Sequence, residues 1–156
     1  MKTKTGYTLV ELMIVISITS VLVGLGISAY TRAQRRQIGQ AAGEQILSLL
    51  QESQKTANIG KKDCTGKFVG QDVTITVPNT VKTQSRCEGG TLGNPEVTTI
   101  PGITFSSGYS ITFNPLTYGV NLNAPSPLGI TYSTTSDLIY NIEITSTGTM
   151  KYLGVQ

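Results

Sequence analysis

Three N-terminal residues have types and a spacing that allow chemistry: Gly6, Tyr7 and Glu11. Glu11 is the only charge among residues 7–30, which are otherwise largely apolar. A carboxylate deep in a membrane helix costs about 2.5–3.5 kcal/mol on insertion scales, so it needs a partner. If the chain is cut after Gly6, the new amino group of Tyr7 lies one helical turn from Glu11, and a neighbouring copy can offer the same amine. A cut after Gly6 would therefore allow Glu11 to form an ion pair with the amine of an adjacent copy.

The composition argues against an enzyme. The sequence has no His, which excludes serine triads and imidazole bases and makes common zinc sites improbable. Residues 60–67 (GKKDCTGK) resemble a phosphate loop, but the glycine spacing is one residue too long and Phe68 replaces the Ser or Thr that binds magnesium. We therefore expect no catalytic activity, no cofactor and no metal.

The remaining acidic residues offer one alternative to that expectation. Asp63, Asp72, Glu88 and Glu96 are expected on loops and strand edges, where a charge usually keeps the surface soluble. A calcium site among them stays an alternative, although no loop has the regular acidic spacing of a calcium-binding motif.

The two cysteines, Cys64 and Cys87, lack the spacing of metal ligands. Only 13% of residues are charged, and Thr, Ser, Asn and Gly are plentiful, as in extracytoplasmic β-rich domains. In an oxidising compartment the pair is expected to form a disulfide that stabilises the fold by about 3 kcal/mol. In the cytosol the two thiols would stay unlinked.

Residues 7–30 are long enough to span a bilayer core of about 30 Å. A cleaved secretory signal fits poorly, because no Ala-x-Ala-like site closes the apolar stretch. A plain single-span anchor fits the length but leaves Glu11 unexplained. The third alternative is the cleavage after Gly6, which gives Glu11 a partner.

The stretch KTKTG followed by YTLVELMIVISI resembles the prepilin leader of type IV pilins and pseudopilins. In that family a membrane aspartyl peptidase cuts after the Gly, the new N-terminus is methylated, and the fifth mature residue is Glu. Gly6, Tyr7 and Glu11 match these positions. The sequence departs from the family at Tyr7, where Phe is usual, and at Ser28, where major pilins often have a helix-kinking Pro.

The resemblance also sets the expected topology. Removal of Lys2 and Lys4 with the leader leaves ten basic and nine acidic residues of the original 12 and 9, which implies no strong general attraction to nucleic acid. Arg32, Arg35 and Arg36 follow the apolar stretch, and counting charges alone would place the C-terminal part inside. The resemblance and the cysteines place it outside, in the cytoplasmic membrane before assembly and in an extracellular or periplasmic filament afterwards.

The rest of the sequence predicts an α+β fold, a long N-terminal helix packed on an antiparallel β-sheet head. Apolar residues recur at spacings of three and four up to about Asn58, with Gly60 as a C-terminal cap. Period-two patterns then predict strands at residues 73–77, 81–87, 103–106, 109–114, 119–122, 130–133, 138–145 and 149–153. The expected parts are a leader (1–6), a transmembrane and filament-core helix (7–30), an amphipathic helix (31–59) and a β-rich head (60–156). The helical residues with this spacing are Ile38, Ala42, Ile46, Leu49, Leu50 and Ala57.

The head resembles the GspH/FimT group of minor pseudopilins and minor pilins through residues 111–119 (ITFNPLTYG) and the closing IEITSTGTMKYLG. Some minor pilins of that group capture DNA through basic C-terminal residues. By that resemblance, the matching basic residue here is Lys151. A separate candidate patch for phosphate contacts near the disulfide consists of Lys61, Lys62, Lys67, Lys82 and Arg86. A solvated basic surface is the plainer interpretation of these charges.

The resemblance implies a structural subunit of a type IV pilus or type II secretion-type filament. Its expected partners are other pilin or pseudopilin subunits, the prepilin peptidase, the filament assembly platform and, before assembly, membrane lipid. The alternatives are a DNA-binding minor pilin for DNA uptake and a single-pass membrane-anchored extracytoplasmic binding protein.

Overall fold

The computed structural model describes residues 8–61, 63–117, 119–135 and 138–155. The chain divides into two units, Met1–Arg35 and Arg36–Gln156, and the helix α1 (Leu9–Ile59) contributes to both. The second unit consists of the second part of α1 and antiparallel β-sheets, so the predicted α+β class is confirmed. The leader residues 1–6 and Tyr7 lie outside the described residues.

The described part of the first unit is helical. Thr8 caps the helix: its side-chain Oγ1 accepts a hydrogen bond from the backbone nitrogen of Glu11 at 3.3 Å, and its carbonyl accepts one from Leu12 at 3.2 Å. A Thr N-cap satisfies one of the free N–H groups at a helix start and stabilises the helix by about 1 kcal/mol.

Nine strands in the described residues form two antiparallel sheets of the second unit. The five-stranded sheet has the order β3-β2-β1-β5-β6 and the four-stranded sheet the order β4-β7-β8-β9. The strands are β1 (Phe68–Thr76), β2 (Thr80–Cys87), β3 (Glu96–Thr99), β4 (Ile103–Phe105), β5 (Tyr109–Phe113), β6 (Val120–Leu122), β7 (Leu128–Thr134), β8 (Ile139–Ile144) and β9 (Met150–Val155). Short 3₁₀ helices occupy Glu88–Gly90 and Pro115–Thr117.

The second part of α1 covers the sheets with a narrow buried face. Ile46, Leu50 and Ala57 are completely buried and share one hydrophobic core with residues of both sheets. Ile38 was predicted on this face but is 41% exposed, because Gly39 takes the buried position instead. The helix ends at Ile59, which agrees with the predicted end at about Asn58, and Gly60 follows in the left-handed region (φ 71°), as expected of a glycine cap.

Two glycines of α1 let tyrosine rings approach the helix backbone. A side-chain carbon added at Gly39 would overlap the ring of Tyr140, and one added at Gly43 would overlap Tyr132 and Tyr152. The rings of Tyr132 and Tyr140 stack with their centroids 5.3 Å apart. The two glycines therefore determine where the four-stranded sheet packs against the helix.

The strand pattern corrects two sequence predictions. β1 begins at Phe68 rather than at residue 73, so Gln71 and Asp72 belong to a central strand. β3 was not predicted: it is a short edge strand, defined by its pairing with β2. Between β2 and β3, Glu88–Gly90 form a 3₁₀ turn.

Candidate functional site

Glu11 lies in the first turn of α1, directly beside the cap formed by Thr8. The helix start carries free N–H groups and a partial positive charge, which favour a carboxylate at this position. Thr8 was missed in the sequence analysis, although Thr-x-x-Glu before an apolar stretch is the signature of a capping box. The cap fixes where the helix begins and thereby where Glu11 stands.

The Glu11 carboxylate is exposed, and among the described residues it has neither a hydrogen bond nor an ion pair. A carboxylate at the edge of an apolar helix is costly in lipid unless an opposite charge reaches it. Gly6 and Tyr7, the predicted cleavage position and amine, lie outside the described residues. Cleavage and pairing with Tyr7 therefore stay predictions.

The apolar side chains that follow Glu11 are uncovered. Leu12, Val21 and Ile27 are each more than half exposed. The helix is long and apolar enough to cross a membrane by length and composition, with a mean hydropathy of 2.3 over its best 18 residues and none of that window buried. This surface needs lipid or other protein chains as cover.

The hydroxyl groups within this stretch are already hydrogen-bonded. Ser17, Thr19 and Ser20 donate to helix carbonyls three or four residues earlier, at 2.8 Å for the shortest bond of each. Such internal bonds satisfy polar groups that hydrocarbon cannot. The stretch can therefore enter an apolar environment without leaving these donors unpaired.

The disulfide between Cys64 and Cys87 is confirmed, with its Cα atoms 6.1 Å apart. It joins the segment after α1 to the end of β2. Backbone and side-chain bonds reinforce the joint: Glu88 N–H donates to the Lys67 carbonyl and Thr91 Oγ1 donates to the Thr65 carbonyl, both at 2.8 Å. The segment after the helix is thus fixed to the five-stranded sheet.

The structure does not gather the predicted phosphate contacts into one patch. Lys61 lines a cavity beside three carboxylates, whereas Lys82 and Arg86 alternate with the core-facing Val81 and lie on the other face of β2. Lys67 is exposed just before β1, and Lys151 on β9 lies opposite Glu143 of β8 in the four-stranded sheet. Lys62 lies outside the described residues. Phosphate contacts act together, so this dispersal weakens the DNA interpretation.

Arg86 is also occupied by an ion pair. Its Nη2 lies 2.6 Å and its Nε 2.8 Å from Oδ2 of Asp72, while Oδ1 of Asp72 accepts a 2.7 Å bond from Thr112. The Asp72 side chain is only 10% exposed. The prediction of Asp72 on a loop or strand edge is wrong, because its carboxylate connects β1 to both neighbouring strands. Residues in the other two strands supply its partners, so local pattern could not reveal them.

Comparison with known protein families finds a match at the N-terminus. Residues 1–27 match the prokaryotic N-terminal methylation motif, the leader signal of type IV prepilins. This signal implies processing by a peptidase and assembly into pilus-like filaments. Together with the apolar helix, it fits a membrane-anchored, single-pass protein. Searches of curated proteins and of solved structures find no match.

Proposed function

We propose that this chain is a structural subunit of a type IV pilus or a type II secretion-type filament. The observation that carries the proposal is the continuity of the N-terminal methylation motif with a membrane-capable helix whose apolar side chains are uncovered. A leader signal alone would serve a plain anchor equally well. The exposed apolar surface, interrupted by one acid that has no ion pair among the residues described, fits a helix that packs among copies of itself.

Assembly, rather than catalysis, is the proposed mechanism. Before assembly, the subunit is anchored in the bilayer with its head outside, and the peptidase removes residues 1–6. The helix then moves from the lipid into the filament, where it packs against the helices of subunits that are already assembled. Glu11 accepts the Tyr7 amine of a neighbour, which neutralises two charges that an apolar interior penalises. The disulfide between Cys64 and Cys87 supports the extracytoplasmic position of the head.

Within this class, the resemblance of residues 111–119 and of the C-terminal strands to the GspH/FimT group favours a minor pilin or pseudopilin. DNA capture is the less favoured function, because the basic candidates occupy different faces and Arg86 is paired with Asp72.

The test is the N-terminus of the protein extracted from membranes that contain a prepilin peptidase. N-terminal sequencing should begin at Tyr7 with a methylated amine, and Gly6→Leu should leave the leader attached. Gly24→Ala is the matched glycine control, because nothing lies within 4 Å of the added carbon, and it should be processed normally. A mature chain that starts at Met1, or a head that labels from the cytoplasmic side, would refute the proposal.

A further inference from the structure

Two arginines, Arg32 and Arg35, follow the apolar stretch of α1 and belong to the first unit. The helix carries no charged side chain between Glu11 and Arg32, that is, over residues 12–31. At 1.5 Å per residue this uncharged stretch is about 30 Å long, which equals the hydrocarbon thickness of an ordinary bilayer. When the stretch crosses a membrane, the two arginines therefore lie in the headgroup layer at its C-terminal end.

The two arginine side chains have no partner within the described residues. Both are exposed, and neither has an ion pair or a hydrogen bond there. The sequence has no acid between Glu11 and Glu44, so α1 offers no carboxylate within two turns of either arginine. Residues three positions apart are neighbours on a helix surface, so the two positive charges can act together on one external partner.

Tyr30 marks the same boundary independently of charge. It directly precedes the arginine pair in the chain by one and four positions, and its side chain is 69% exposed. Tyrosine is enriched at the membrane–water interface, because its ring is apolar and its hydroxyl group needs a polar neighbour. The aromatic residue and the length of the uncharged stretch thus place the arginines at the same depth.

The partner that fits this depth and charge is the phosphate group of an anionic lipid. A guanidinium group can donate two parallel hydrogen bonds to a phosphate. Arginines beside a membrane-spanning helix also attract anionic headgroups over a distance of about one Debye length. A zwitterionic headgroup fits less well, because its own cation offsets the charge of its phosphate.

We infer that Arg32 and Arg35 form a binding surface for anionic phospholipid headgroups, in the leaflet at the C-terminal end of the apolar stretch. The bound headgroups fix the depth of the helix in the bilayer at this end, while Glu11 marks the opposite boundary. The inference depends on the membrane span alone, so it does not require cleavage after Gly6 or assembly into a filament.

The test is a lipid-selectivity measurement on the full-length chain in phosphatidylcholine vesicles. Electron spin resonance with spin-labelled phosphatidylglycerol and, separately, with spin-labelled phosphatidylcholine gives the relative association of the two lipids with the protein. At about 0.1 M NaCl, phosphatidylglycerol should associate at least about threefold more strongly. The preference should shrink at about 1 M NaCl, because the Debye length falls to about 3 Å.

Variants identify the residues that cause the preference. Arg32→Gln combined with Arg35→Gln should lower it at least about twofold, whereas the corresponding double lysine variant should retain most of it because the charges remain. Lys55→Gln removes an exposed cation of the second unit and is the matched control, which should leave the preference unchanged. Lys2 and Lys4 are the same in every variant, so the differences isolate the arginine pair. Circular dichroism should show equal helix content in all variants.

Three results would overturn the inference. They are an equal association of the two lipids with the parent chain, an unchanged preference in the double glutamine variant, and a loss with Lys55→Gln as large as in that variant. The first two would mean that the arginines face water or another protein chain, and the third that only net charge matters. A chain that keeps the lipid preference but is not cut after Gly6 would refute the filament proposal alone.

Discussion

The phenol of Tyr132 donates a 2.8 Å hydrogen bond to the backbone carbonyl of Gly39, in the middle of α1. Tyr140 stacks on Tyr132, and its hydroxyl reaches the Arg36 carbonyl at 3.4 Å. Helix carbonyls can accept a second bond because each has two lone pairs. The four-stranded sheet is thus attached to the helix by hydrogen bonds as well as by apolar packing, and both depend on glycine at position 39.

Gly39→Ala should destabilise the second unit by about 1–3 kcal/mol, because the added methyl group overlaps the buried Tyr140 ring. Gly24→Ala is the matched control: it lies on the same helix with open space around it, and alanine favours the helix by up to about 1 kcal/mol. Urea unfolding monitored by tyrosine fluorescence measures both. Equal stability of the two variants would show that the Tyr140 ring can move away from residue 39 without cost.

Tyr132→Phe should remove part of the stability loss at alkaline pH. Burial, followed by interaction with the nearby Tyr152, raises the pKa of Tyr132 well above its usual value near 10. A raised pKa gives stability that is present below pH 10 and declines above it, by up to about 1.4 kcal/mol per pH unit for one group. The variant should lose about 1 kcal/mol at pH 7 and show a shallower decline between pH 10 and 11.5.

Tyr109→Phe gives the opposite sign and serves as the comparison. Burial raises the pKa of Tyr109, but hydrogen bonds from Ser107 and Thr131 together outweigh it and lower that pKa. The native state then releases the Tyr109 proton before the unfolded state does, so this group gains stability as pH rises. Its removal should steepen the alkaline decline. The same slope in both variants would contradict these assignments.

Arg86→Met should destabilise the head by about 1–3 kcal/mol, because it leaves the buried Asp72 carboxylate with Thr112 alone. The Arg86 side chain is 45% exposed, so the loss should stay below that of a fully buried pair. Lys82→Met, on the same face of β2, is the control and should stay within about 0.5 kcal/mol of the parent. Urea unfolding compares them, and equal losses would mean that the pair contributes nothing.

Glu11→Val should reduce the chain's incorporation into filaments at least about tenfold, because the neighbour's Tyr7 amine loses its partner. Leader removal and urea unfolding of the head should be unchanged. Sheared filaments from cells that express each variant provide the measurement, and Glu44→Val controls for loss of an exposed helix charge. Normal incorporation of Glu11→Val would count against the pairing while leaving the cleavage prediction intact.

Features encoded in local pattern could be predicted from the sequence. The end of α1 follows from Gly60, and the alternation of buried Tyr140, Ile142 and Ile144 in β8 was visible as period two. Gly39 was not predicted in the buried face, because periodicity counts apolar side chains and glycine has none. Its role depends on rings about a hundred positions later in the chain.

Long-range pairing decided the remaining features. Asp72 is buried because Arg86 and Thr112, 14 and 40 positions away, come to lie on either side of it. β3 is a strand because its backbone pairs with β2 in the antiparallel direction. The basic candidates near the disulfide are close in sequence, yet strand alternation sends them to different faces. Proximity along the chain was therefore a poor guide to a shared surface.

Gly39 and Gly43 form a small-xxx-small pair, the spacing with which membrane helices often dimerise. Here tyrosines of the same chain fill both notches. A second helix could pack against these glycines only if the four-stranded sheet were displaced. Within the second unit, these two glycines are therefore unavailable for contact with a second helix.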